Sequence, residues 1–180
     1  MKKLPLALLL LAFALMSFQC DDDEDPGGDN SNVPGALTAN VDGVDKDYKS
    51  FPRASLGTAS IDENSSSVEA LNIEGTDNTG NTEHRIIISL VPFEGEGTYE
   101  LGSVINGNDL ASYVYYETYP AGGGLVTAYG TTAKFTGTFV LSSYDGNTVK
   151  GSFNFQAVDV DGEGQTITVT NGKVDLGLED

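Results

Sequence analysis

Val149-Lys150-Gly151-Ser152-Phe153-Asn154-Phe155-Gln156-Ala157 is the stretch that decides how this chain folds. Its odd positions carry Val149, Gly151, Phe153, Phe155 and Ala157, while Lys150, Ser152, Asn154 and Gln156 take the even ones. A period of two puts the apolar set on one face of a β-strand and the polar set on the other. The neighbouring stretches repeat the pattern: Lys134-Phe135-Thr136-Gly137-Thr138-Phe139-Val140-Leu141 before it, then Thr166-Ile167-Thr168-Val169-Thr170 and Val174, Leu176, Leu178 after it. Their Thr, Val, Ile, Phe and Tyr content is that of strands, and no stretch of the chain carries a helical period.

The punctuation between these segments fits antiparallel hairpins. Asp42-Gly43, Asp145-Gly146 and Asn171-Gly172 each separate two alternating runs. Such pairs supply the positive φ angles that tight hairpin turns need. The pattern predicts strands near 36–41, 45–51, 54–60, 67–75, 83–91, 97–101, 110–118, 124–130, 133–143, 148–158, 164–170 and 173–178. Short, evenly spaced strands predict an all-β domain over 36–180, an antiparallel meander forming a β-sandwich or a flattened β-barrel.

The start of the chain has another character. Met1-Lys2-Lys3 is basic, and the run from Leu4 to Phe18 is interrupted only by Pro5 and Ser17. Cys20, the single cysteine of the chain, follows, and then Asp21-Asp22-Asp23-Glu24-Asp25. The apolar run is short for a membrane span, which needs about 20 residues. Basic start, apolar centre and processing site are the order of a secretory leader. Ser17-Phe18-Gln19 fits neither an Ala-x-Ala cleavage site nor the usual lipobox, which has leucine three residues before the cysteine and glycine or alanine just before it. A lone cysteine in an exported chain forms no internal disulfide, and lipidation explains its position. The reading is a lipoprotein signal peptide over 1–19, then lipidated Cys20 and an acidic, flexible tether over 20–35, whose composition cannot bury enough apolar surface to order itself. An uncleaved anchor or soluble export are the other readings.

Several segments of the domain resemble a known group of proteins. They are Asn40-Val41-Asp42-Gly43, Gly97-Thr98-Tyr99-Glu100-Leu101-Gly102, Ala111-Ser112-Tyr113, Gly137-Thr138-Phe139, Ser143-Tyr144-Asp145-Gly146-Asn147, Val149-Lys150-Gly151-Ser152-Phe153-Asn154-Phe155 and Thr170-Asn171-Gly172. Together they resemble a family of uncharacterised Bacteroidota lipoprotein domains of unknown function. The resemblance implies an exported, lipidated β-domain with no assigned activity and no active site to carry over. The looser lipobox and the acidic run after Cys20 also resemble those of lipoproteins sent to the outer face of the outer membrane. A solvated spacer between lipid and domain is the plainer account of that run.

Removing Lys2 and Lys3 with the leader leaves 7 basic against 27 acidic residues, a formal charge of −20. So acidic a chain excludes a nucleic-acid partner, whose phosphates demand a basic face, and leaves lipid on Cys20 as its hold on a membrane. No enzyme is predicted. The single histidine, His84, reads as a polar residue near a sheet edge. No serine sits in a Gly-x-Ser-x-Gly elbow, and zinc would need more His or Cys ligands. No cofactor is implied.

Two weaker candidates remain. Asp159-Val160-Asp161-Gly162-Glu163 spaces three carboxylates, Asp159, Asp161 and Glu163, as calcium loops do. Its glycine comes fourth and Thr170 stands twelfth, so it is not an EF-hand, and a hairpin turn with solvated acids is the plainer account. Tyr113, Tyr115 and Tyr119 share one strand face, with Val114 and Tyr116 on the other. An outward row of rings beside Ala121-Gly122-Gly123-Gly124 would suit sugar stacking, although strand tyrosines are ordinary cross-strand partners. The expected function is a non-enzymatic accessory or interaction module at the cell surface, with an unknown protein or glycan partner. The alternative is a calycin-like module that binds a glycan or small ligand. A hydrolase would need paired carboxylates converging in a cleft.

Overall fold

The computed structural model describes residues 35–60, 66–78, 80–103, 105–106, 109–120, 127–161 and 164–179. The leader, Cys20 and the tether lie outside the described residues. The described residues form an all-β fold of thirteen strands: β1 (Ala36–Val41), β2 (Val44–Asp47), β3 (Ser50–Ala59), β4 (Val68–Asp77), β5 (Thr82–Leu90), β6 (Gly97–Leu101), β7 (Ile105–Asn106), β8 (Asp109–Leu110), β9 (Tyr113–Pro120), β10 (Thr127–Gly130), β11 (Gly137–Tyr144), β12 (Thr148–Asp159) and β13 (Thr166–Glu179). Eleven of them make one large sheet, and β7 and β8 pair separately.

The large sheet folds into two layers. One runs β6-β11-β12-β13-β1-β2, the other β3-β4-β5-β9-β10. Long strands turn the corners. The end of β13 leaves β1 and pairs with β3 at Leu178↔Ala54 and Glu179↔Ser55, while the end of β12 leaves β11 and pairs with β10 at Asp159↔Tyr129. Because β12 and β13 also pair with each other, the ladder closes on itself as a flattened barrel. The β13–β3 pairing is parallel, so the sheet is mixed. The β1–β13, β5–β9, β6–β11 and β10–β12 pairings also join strands that are not neighbours in the chain, so the expected antiparallel meander holds only for stretches such as β3-β4-β5.

The decisive stretch behaves as its pattern dictates. In β12, Val149, Phe153, Phe155 and Ala157 are buried, and Lys150, Ser152, Asn154 and Gln156 are exposed. Its inward row meets that of the second layer, where Leu71, Ile73, Ile86, Ile88 and Val114 are wholly buried. The layers approach closely at Gly75, where a Cβ would stand 2.6 Å from Leu37 and 2.9 Å from Tyr48. Only glycine lets β4 lie that near the β1–β2 layer.

Two predicted turns are turns. Asp42 and Gly43 both have positive φ, and the Asp145 carboxylate accepts the N–H groups of Asn147 and Thr148 around Gly146. Asn171-Gly172 is not one: residues 166–179 are a single strand. Asn171 does take φ +54, but the chain absorbs it as a bulge, and the register shifts there against both β12 and β1. With partners on both sides the strand continues, and one left-handed residue kinks it without reversing it. The predicted start at 133 moves inward to Gly137, while the one at 124 lies outside the described residues.

Candidate functional site

The most exposed large apolar side chain among the described residues belongs to Phe51, at 84%. It stands in β3 beside Pro52, with φ +55, where the register against β4 shifts between Ser50 and Arg53. A bulky residue in that region of backbone space is strained, and a residue before proline ordinarily stays extended. The bulge turns the ring away from the core, as bulges beside binding sites re-aim side chains.

Phe51 stands on the rim of an open cleft of about 310 Å³, whose other walls are Arg53, Glu74, Thr76, Glu83, Arg85 and Glu179. The floor is a ladder of charges running across four strands. Arg53 on β3 pairs with Glu74 on β4, Glu74 with Arg85 on β5, and Arg85 with Glu117 on β9 at 3.5 Å. Burial opposes ionisation of Glu74, yet hydrogen bonds from Arg53 and Arg85 outweigh it and hold its carboxyl below the usual carboxylate range. Half-exposed pairs of this kind contribute about 0–1 kcal/mol each to stability. Their larger effect is to fix two guanidinium planes and their carboxylates in place on an open surface.

Tyr113, Tyr115 and Tyr119 do share the outward face of β9, with Val114 and Tyr116 buried opposite. Tyr119 joins the ladder by donating to Glu117 at 2.6 Å. Tyr113 and Tyr115 pack edge-to-face, 5.4 Å apart, farther along the strand. Only Tyr119 of the three therefore stands beside the Phe51 cleft. The sequence reading missed Phe51, although a proline inside an otherwise strand-like run signals a bulge.

The acidic turn is less like a calcium loop in space than in sequence. Asp159 is buried and its carboxylate accepts the Asp161 N–H at 2.9 Å, which closes a turn. Glu163 lies outside the described residues, and no group of three potential ligands gathers among those described.

His84 is not near a sheet edge. It lies on β5, between β4 and β9, and turns inward, where its Nδ1 meets the Tyr116 hydroxyl at 2.9 Å. Lys46 reaches Asp77 at 3.4 Å in the same interior region, and both side chains are largely buried. Tyr48 is wholly buried, its hydroxyl leaning toward Tyr116 and Asp77 without closing a hydrogen bond of normal geometry. Burial pushes the hydroxyls of Tyr48 and Tyr116 well above the ordinary tyrosine range, so both remain neutral donors.

This interior cluster gives the fold a pH response. Burial, then the nearby Lys46 charge, lowers the His84 pKa below 6.5, and Asp77 opposes this in part. The unfolded chain therefore takes up the proton first, and stability falls as pH drops from about 6.5 toward the lowered folded value. Melting curves across this range should show that loss in wild type and not in His84→Gln. A separate loss follows below 4.5, as the Glu74 carboxylate is protonated.

A family model described as a domain of unknown function, DUF6252, matches residues 41–175, from the end of β1 to the middle of β13. No curated protein and no solved structure matches the chain.

Proposed function

The chain belongs to the DUF6252 family, a domain of unknown function, and from its own geometry we propose a non-enzymatic accessory module, anchored by lipid on Cys20, that interacts through the outer face of its β3-β4-β5-β9-β10 layer. The observation that carries this reading is the Phe51 ring, solvent-exposed and held by a strained backbone beside a preformed row of charges. The interior supports it too. The space between the layers is filled by Tyr48, Phe139, Leu141, Phe153 and their neighbours, so binding falls to the surface rather than to a calycin-like lumen.

A glycan is the ligand class this face suits best. An exposed ring stacks on the apolar face of a sugar, and Arg53, Arg85, Glu83 and Glu179 around it can donate to and accept from hydroxyl groups. The cleft sits at the small end of ligand sites, the scale of one sugar unit rather than a long chain. The leader, the lone Cys20 and the acidic run behind it support display on the outer membrane, facing outward, in the manner of Bacteroidota lipoproteins.

The test is thermal unfolding of the chain against a panel of neutral oligosaccharides. A ligand at a hundred times its dissociation constant adds about 2.7 kcal/mol, which raises Tm by several degrees for a domain of this size. A shift with at least one sugar is the expected result. A flat panel would remove the glycan reading and leave a protein partner.

A further inference from the structure

We propose that the free edge of β6 binds a basic, extended segment of a protein partner by strand addition. Among the described residues β6 pairs with β11 alone, and it ends one margin of the eleven-stranded sheet. Its other edge faces an open cleft of about 330 Å³. One bank of that cleft is Val91, Pro92, Leu110, Ala111 and Ser112; the other is β6 itself with Glu94 and Glu96.

Both banks are held in place before any partner arrives. Ser112 Oγ accepts the Val91 N–H at 2.8 Å and donates to the Val91 carbonyl at 3.2 Å. Across the cleft, the Tyr99 hydroxyl accepts the Glu94 N–H at 3.1 Å and donates to the Gly95 carbonyl at 2.6 Å. Gly102 N–H bonds to the Ser112 carbonyl at 2.9 Å and ties the two banks together just beyond the end of β6. An unpaired strand edge beside a ready groove is what strand-adding peptides use, with main-chain bonds giving affinity and alternate side chains giving specificity.

The side chains of the groove select the occupant. Thr98 and Glu100 are exposed, while Tyr99 and Leu101 turn inward. An added strand would set its residues opposite these, alternately outward and inward. Glu94, Glu96 and Glu100 border the groove, and among the described residues no basic side chain lines it. The outward positions of the partner are therefore lysine or arginine and the inward ones apolar. The same charges repel a second copy of this chain, at −18, and its own run Asp21–Asp25. The opposite sheet margin, β2, offers four residues whose lysine is drawn to Asp77.

The experiment titrates the purified chain with a short synthetic peptide alternating lysine and valine, and follows amide hydrogen exchange. Expected are slowed exchange at β6 amides between Gly97 and Leu101, no such effect from a glutamate–valine peptide, and binding weakened by roughly three- to tenfold in Glu94→Gln/Glu100→Gln. Those two carboxylates are solvent-exposed, so the variant keeps its fold, which its melting curve verifies. Absence of binding, equal binding of both peptides, or binding that leaves β6 exchange unchanged would overturn the proposal. So would concentration-dependent protection of β6 in the chain alone, which would assign the edge to self-association.

Discussion

Phe139→Ala is expected to cost about 3–5 kcal/mol of stability, the range for a buried phenylalanine. Phe139 is fully buried on β11 and lies parallel to the Phe153 ring of β12, with centroids 6.1 Å apart. Its ring covers Gly151, where a Cβ would stand 2.8 Å from it. With glycine beneath and an adjacent ring already packed on Phe155, little can move into the space that alanine would leave. Net stabilities of about 5–15 kcal/mol make this a loss of a fifth or more of the total. Urea unfolding should show a lower midpoint with an unchanged slope. A change below 1 kcal/mol would mean that the two layers do not close on Phe139.

Cys20→Ala is expected to move nearly all of the chain from the membrane fraction to the soluble one. Each buried methylene of an acyl chain contributes about 0.8 kcal/mol, and stable anchoring takes two chains or more. The formal charge of −18 repels anionic lipid, so electrostatic docking does not replace the lipid. Fractionation after metabolic labelling with a fatty acid reads both halves of the claim. The variant should lose the label and the sedimentation together. A labelled variant, or an unlabelled one that still pellets with membranes, would contradict an anchor at Cys20.

What could be read in the sequence was local. Alternation along Val149–Ala157 named the inward row of β12 residue by residue, because the side-chain period of a strand is fixed by the backbone. Asp42-Gly43 and Asp145-Gly146 marked real reversals. Asn171-Gly172 carried the same signal and misled, since a left-handed residue serves a bulge as well as a turn, and partners on both sides of β13 decided between them. Lys46, Asp77, His84 and Tyr116 come from four strands and meet only through the closed topology, so no spacing could announce them. The same alternation puts Tyr113, Tyr115 and Tyr119 on one face of β9. Phe51 leaves no such mark in the sequence, because its exposure depends on one bulged residue whose φ the neighbouring Pro52 disfavours.

On the proposed reading the outer sheet face binds through Phe51. Once a sugar raises Tm, the direct measurement is its dissociation constant for wild type and Phe51→Ala by calorimetric titration. Phe51 is 84% exposed, so alanine there leaves the core intact and the melting temperature nearly unchanged. Binding is expected to weaken by about five- to thirtyfold, since stacking on one ring is worth roughly 1–2 kcal/mol. An unchanged dissociation constant would place the ligand elsewhere and remove Phe51 from the binding face.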